Sequence, residues 1–198
     1  MSDVILESKK ICKYFGGLKA VDEVDMKIRK QDIFGIIGPN GAGKTTFFNV
    51  CSGVYKPTSG DILFKGESII NLRPEQIARK GLARTFQNIQ LFRNMTVLDN
   101  VEIGFHIRTG TNIFDAVTRN KKFKQDENLV KEQGLEVLKK VGLYEYRDTM
   151  AGNLAYGVQR RVEIARALAL DPEVLLLDEP AAGMNPYETR SLMEFIQQ

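Results

Sequence analysis

The stretch GPNGAGKTT, Gly38 to Thr46, packs three glycines into six residues and closes on Lys-Thr-Thr. It follows the apolar run Ile33–Ile37, read as a short buried strand, and leads into TTFFNVCSG, whose texture is helical. Strand, glycine-rich loop and helix in that order are the setting of a phosphate-binding loop. Gly38, Gly41 and Gly43 permit backbone conformations that turn successive N–H groups inward, with Pro39, Asn40 and Ala42 completing the loop. The positive end of the following helix adds to that cradle. The Lys44 ammonium is placed to neutralise β- and γ-phosphates, the Thr45 hydroxyl suits a Mg²⁺ shell, and Thr46 is a further candidate phosphate contact. The stretch reads as a nucleoside triphosphate site.

Such a loop needs a metal-anchoring acid at the end of a second strand, and VLLLDEP supplies it. The apolar run Val174–Leu177 reads as that strand, with Asp178 at its carboxyl end, where ligands of open α/β sheets collect. Asp178 is the candidate Mg²⁺ anchor, and the adjacent Glu179 is the candidate general base for an attacking water.

The rest of the chain falls into three textures. Up to about Gly66 it reads as strands; VDEVDMKI sets Val24, Met26 and Ile28 against charges with period two. From about Asn88 to Gly152 it reads as helices and loops. There Val130, Gly134, Val137, Leu138 and Val141 recur at helical spacing behind the charged run NKKFKQDEN, itself read as a solvated face. The third texture is a helix with Val158, Val162, Ala165 and Ala169 along one side, then the apolar strand, then the helical YETRSLMEFIQQ. Strands on either side of a helical insert indicate an α/β core with a helical subdomain.

Composition sets limits. The 198 residues suffice for one sizeable domain or for a core with a smaller subdomain, and 43% hydrophobic with 27% charged residues is ordinary for a folded globular chain. No apolar run approaches the ~20 residues that span a bilayer, and the N-terminus has no secretion signal. A net charge of +3 gives no argument for nucleic acid as a partner. The two cysteines, Cys12 and Cys51, lack metal spacing and read as buried, reduced thiols.

The stretch NLAYGVQRRVEIARAL, Asn153 to Leu168, completes the pattern. The order of phosphate loop, helical insert, L-x-x-G-x-Q-R-R and LLLDEP resembles the ATP-binding cassette of ABC transporters across essentially the whole chain. The resemblance implies a P-loop NTPase core, a mixed sheet flanked by helices, with an antiparallel β subdomain and a helical subdomain. It places residues 1–87 and 153–198 in the nucleotide-binding core and 88–152 in the helical subdomain that meets the permease. It also implies that Leu154–Val158 is the signature motif, which contacts the ATP held by the opposite subunit. Leu154 and Gly157 match that motif; Ala155, Tyr156 and Val158 depart from it. By the same resemblance Gln87 in RTFQN is the glutamine that senses Mg²⁺ and the γ-phosphate. Phe15 in KYFGG stands where an aromatic stacks on adenine, with Tyr14 as the alternative. AAGMNP, Ala181 to Pro186, stands where a loop runs along the dimer interface, with Asn185 in place of the usual acid.

The Ala-Tyr-Gly signature, together with GLARTFQN and LFRNMTVLDNV, is similar to the ATP-binding subunits of branched-chain amino acid importers. The partners this implies are a second ATP-binding subunit, identical or not, with ATP at the interface, transmembrane permease subunits, and indirectly a solute-binding protein. The implied place is the cytoplasmic face of the inner membrane, held through the permease. Two other readings stay open: an ABC ATPase for another cargo such as lipopolysaccharide export, and a non-transport ABC protein. The family's switch histidine follows the strand after the last helix, and the single histidine, His106, lies in the helical insert. The resemblance therefore implies that the cassette extends beyond Gln198.

Overall fold

The computed structural model describes residues 3–85, 89–109 and 121–197. The chain separates into two compact units, Met1–Ala83 and Arg84–Gln198.

In the first unit β1 (Val4–Phe15) and β2 (Leu18–Arg29) form a long antiparallel hairpin. β3 (Ser59–Phe64) adds to the other edge of β1 and β4 (Glu67–Ser68) to β3, giving the order β2-β1-β3-β4. The period-two reading of VDEVDMKI holds: Val24, Met26 and Ile28 are half-buried while Glu23, Asp25 and Lys27 are exposed. Leu6, Ile11, Ile62 and Phe64 of this sheet are buried, as are Phe47, Val50 and Cys51 of α1 (Lys44–Cys51) and Ile77 of α2 (Pro74–Lys80). Both cysteines are buried and unbridged, as their spacing implied.

The buried strand expected at Ile33–Ile37 is not found. The chain leaves β2 through a turn in which Asp32 N–H donates to Arg29 C=O, with Gln31 at φ 66°. No strand among the described residues pairs with 33–37, and Ile33, Phe34 and Ile37 are 71%, 52% and 97% exposed. The reason is physical: apolar content favours burial, but a strand exists only through a ladder of hydrogen-bonded partners, and this run has no such ladder among the described residues.

The second unit is mainly helical. Arg84, the last residue of β5 (Leu82–Arg84), opens it, and Thr85 N–H donates to the Leu176 carbonyl of β6 (Val174–Leu176) at 3.0 Å. Its core joins α3 (Val97–Thr109), α4 (Lys121–Lys140) and α5 (Tyr156–Leu168). Val97, Val101, Phe105, Val130, Leu138 and Val141 pack with Val162, Ala165 and Ala169, so the apolar sides read from spacing on α4 and α5 are core. The helical stretch and the segment after it thus share one hydrophobic cluster. Gly104 permits the close approach of α3 to α5, since a Cβ there would lie 2.5 Å from the Arg166 carbonyl oxygen. Asn100, fully buried, ties the preceding loop to α3 by accepting from Phe92 N–H and donating to the Phe92 and Thr96 carbonyls. α6 (Pro186–Ile196) closes the described chain.

Candidate functional site

The phosphate loop is built in the first unit as the motif requires. Gly41 and Gly43 both sit at φ 84°, the left-handed region that residues with a Cβ rarely enter. At Gly43 a side chain is also sterically barred, because its Cβ would fall 2.0 Å from the Ala20 carbonyl oxygen of β2. Gly38 is different from expectation. It has no positive φ, and its constraint is space: a Cβ would meet Ala42 Cβ at 3.1 Å. Gly43 caps α1, and its carbonyl accepts from Phe47 N–H at 2.8 Å. The helix starts at Lys44, so Thr45 and Thr46 lie in its first turn, where N–H groups have no intrahelical acceptor and favour an anion. The Lys44 ammonium is inside the loop, donating to Gly38 C=O at 2.6 Å and Pro39 C=O at 3.0 Å. Beside the loop lies a cavity of about 320 Å³ bounded by Val21, Phe34, Ile36 and Phe47.

The two candidate aromatics are separated by their bonding. The Tyr14 hydroxyl donates to Asp22, which also accepts from Lys19 at 3.1 Å. That carboxylate pulls the Tyr14 phenol well above its ordinary pKa, and the Tyr14 hydroxyl, followed by Lys19, pulls Asp22 below the usual carboxylate range. Phe15 is instead 43% exposed, edge-on to Tyr55 with centroids 5.5 Å apart, with the Lys13 ammonium 5.0 Å from its ring centre. Phe15 is the ring with apolar surface to offer a base.

The second unit carries the acids. Asp178 follows β6 and is buried, with its carboxylate paired to the Arg84 guanidinium at 3.0 Å. Glu179 has a left-handed backbone, φ 46°, and is followed by Pro180, which further restricts the residue before it. A non-glycine residue held there costs about 1–3 kcal/mol and marks a place where surroundings dictate the conformation. Those surroundings are a buried arginine of α5, Arg160, which donates to the Asp178 carbonyl at 2.7 Å and to those of Glu179 and Pro180 at 3.2 Å. Sequence reading did not single out Arg160. The available signal was its spacing from Glu163, three residues on, to which it is ion-paired at 2.7 Å.

No group of three or more His, Cys, Asp or Glu able to hold a metal occurs among the described residues. Mg²⁺ needs no such cage: it keeps several waters and takes one or two protein oxygens besides phosphates. The Asp178 carboxylate is an oxygen donor of that kind, able to accept from a metal-bound water as well as from Arg84, and in the first unit the Thr45 hydroxyl is another. Gln87 lies outside the described residues.

The signature stretch opens α5. Ala155 is its N-cap and, lacking a hydroxyl, provides no side-chain cap; Ala155 and Tyr156 are exposed and Gly157 is buried. The first-turn N–H groups of this helix are thus uncapped by Ala155. Gly157 packs against the Glu188 carboxylate, whose Oε1 would lie 2.9 Å from an added Cβ. The Tyr156 ring covers Gly183 at 3.4 Å from its would-be Cβ. Asn185, which stands where an acid was expected, is the N-cap of α6: its side chain accepts from Glu188 N–H at 2.9 Å, and Glu188 accepts from Asn185 N–H at 3.0 Å.

Comparison with known proteins agrees with this arrangement. The family model described as ABC transporter matches residues 21–182. The high-affinity branched-chain amino acid transport ATP-binding protein LivG of Escherichia coli (strain K12) is 44% identical over 196 residues, covering 99% of this chain and 77% of its own. The corresponding BraF of Pseudomonas aeruginosa is 45% identical with the same coverage. Among solved structures, the ADP conformation of MJ1267, an ATP-binding cassette of an ABC transporter, matches with TM-score 0.84 and 35% identity over 99% of this chain and 76% of that one.

Proposed function

The chain belongs to the ABC transporter family as an ATPase of that family, and on this premise we propose that it powers the import of branched-chain amino acids. The observation that carries the substrate class is identity of 44–45% with branched-chain amino acid transport ATP-binding proteins over 99% of this chain.

The roles of its residues follow from chemistry and position. The loop Gly38–Pro39–Asn40–Gly41–Ala42–Gly43 wraps the ATP phosphates with main-chain N–H groups, Lys44 exchanges its carbonyl partners for the β- and γ-phosphates, and Thr46 adds a contact. Phe15 stacks on the adenine. Thr45 and Asp178, with Gln87, would hold Mg²⁺, which would supply positive charge against that building on the phosphates. Glu179 orients and deprotonates the attacking water. A second copy, or a similar subunit, closes over the nucleotide, and its Ala155–Tyr156–Gly157 main chain meets the γ-phosphate at the positive end of the partner's α5. Residues 88–152 contact the permease, which holds the protein at the cytoplasmic membrane face. Among the described residues no helix is long and apolar enough to cross a membrane itself.

The test is reconstitution with permease subunits and a branched-chain amino acid binding protein in vesicles. ATP hydrolysis should rise when the loaded binding protein is added, with leucine, isoleucine or valine as cargo. Stimulation only by another class of solute would overturn the cargo assignment.

A further inference from the structure

Arg160 is 1% exposed and Glu163, its ion-pair partner at 2.7 Å, is 2% exposed. Glu163 takes only part of a guanidinium whose five N–H donors all need acceptors once buried. Arg160 also spans three consecutive main-chain carbonyls, of Asp178 at 2.7 Å, Glu179 at 3.2 Å and Pro180 at 3.2 Å. The middle of the three belongs to the residue with φ 46° ahead of a proline, a backbone that would relax if released. The Glu179 carbonyl also accepts from Ala182 N–H at 3.0 Å, so the turn after β6 is held from α5 on one side and from its own chain on the other. A planar guanidinium can reach several carbonyls at fixed angles; a lysine ammonium on a flexible stem cannot reproduce that fork.

We infer that Arg160 is a positioning residue for hydrolysis: it clamps the Asp178–Pro180 main chain and so sets the left-handed backbone from which Glu179 presents its carboxylate. Glu163 in turn orients the guanidinium. The inference rests on Glu179 as the general base, and it places the control of that base on α5, the helix that begins at the signature stretch.

The experiment compares Arg160→Lys, Glu179→Gln and the double variant in the ATP-hydrolysing protein, measuring ATP affinity, KM and kcat. Arg160→Lys should lower kcat about 10–100-fold, the scale on which small misplacement of a reacting group acts. ATP affinity and KM should stay within about twofold, because the P-loop lies in another part of the chain. In the Glu179→Gln background the added Arg160→Lys should cost nothing further, whereas a general structural defect would lower what remains again. If Arg160→Lys fails to fold, Glu163→Gln, which keeps an acceptor for Arg160 but loosens its grip, should still lower kcat at unchanged affinity. Full kcat in Arg160→Lys, or in Glu163→Gln, while Glu179→Gln is inactive would overturn the positioning role and leave the base assignment standing. Full turnover in Glu179→Gln would overturn the base assignment and this inference with it.

Discussion

At the scale of single residues, the nucleotide site depends on charge placed where the backbone cannot move. Lys44 is held by two loop carbonyls, at 2.6 and 3.0 Å, and exchanges them for phosphate oxygens. A charge-assisted contact of this kind contributes about 1.5–3 kcal/mol, so Lys44→Ala should weaken MgATP binding at least about tenfold. Isothermal titration checks this, and thermal melting should show the fold intact because the lysine packs against loop carbonyls and not in the hydrophobic core. Unchanged affinity would remove Lys44 from the site. Asp178 and Arg160 belong to a different class: each is buried in an ion pair, and deleting one partner of such a pair costs about 3–5 kcal/mol. Variants there must therefore be conservative to report on chemistry rather than on folding.

At the scale of elements, the start of α5 is incomplete in a testable way. Ala155 occupies the N-cap with φ −58° and ψ 150°, a geometry in which a serine hydroxyl would cap the first turn. Ala155→Ser should stabilise the protein by about 1 kcal/mol, raising the melting temperature by about 2–4 °C, and should strengthen ATP-driven dimerisation. No rise in either would mean that this helix start is already satisfied. On α3, Glu102 is pushed above the usual glutamate range, first by burial and then by Asp99 on its own helix, with Glu127 of α4 adding to the rise and Lys131 opposing it. A carboxyl raised in the folded state is favoured protonated. Its penalty is absent below the ordinary value of 4.5 and grows as pH climbs through the raised one. Glu102→Gln should therefore raise the melting temperature at pH 7 and leave it unchanged near pH 4. The phosphate loop, the apolar sides of α4 and α5, and the order of β6 and the acids were legible in the sequence, because each rests on local spacing. The strand at 33–37 was not, because pairing is a property of neighbours and not of apolar content. Nor was the role of Arg160, since its three carbonyl partners lie 18 to 20 residues away in sequence.

At the scale of the whole molecule, the chain carries both halves of a nucleotide sandwich, a phosphate loop and a signature helix start. On the proposed function each half would serve a different ATP, so a single copy would complete neither site and hydrolysis would require closure of two. The most direct measurement is the mass in light scattering of Glu179→Gln with and without MgATP. Without the base, bound ATP persists, and the full-length variant should shift from the mass of one copy to twice that mass, reversed when ATP is withdrawn. A variant that stays at the mass of one copy with ATP while hydrolysing it at the wild-type rate would contradict closure of two copies on ATP.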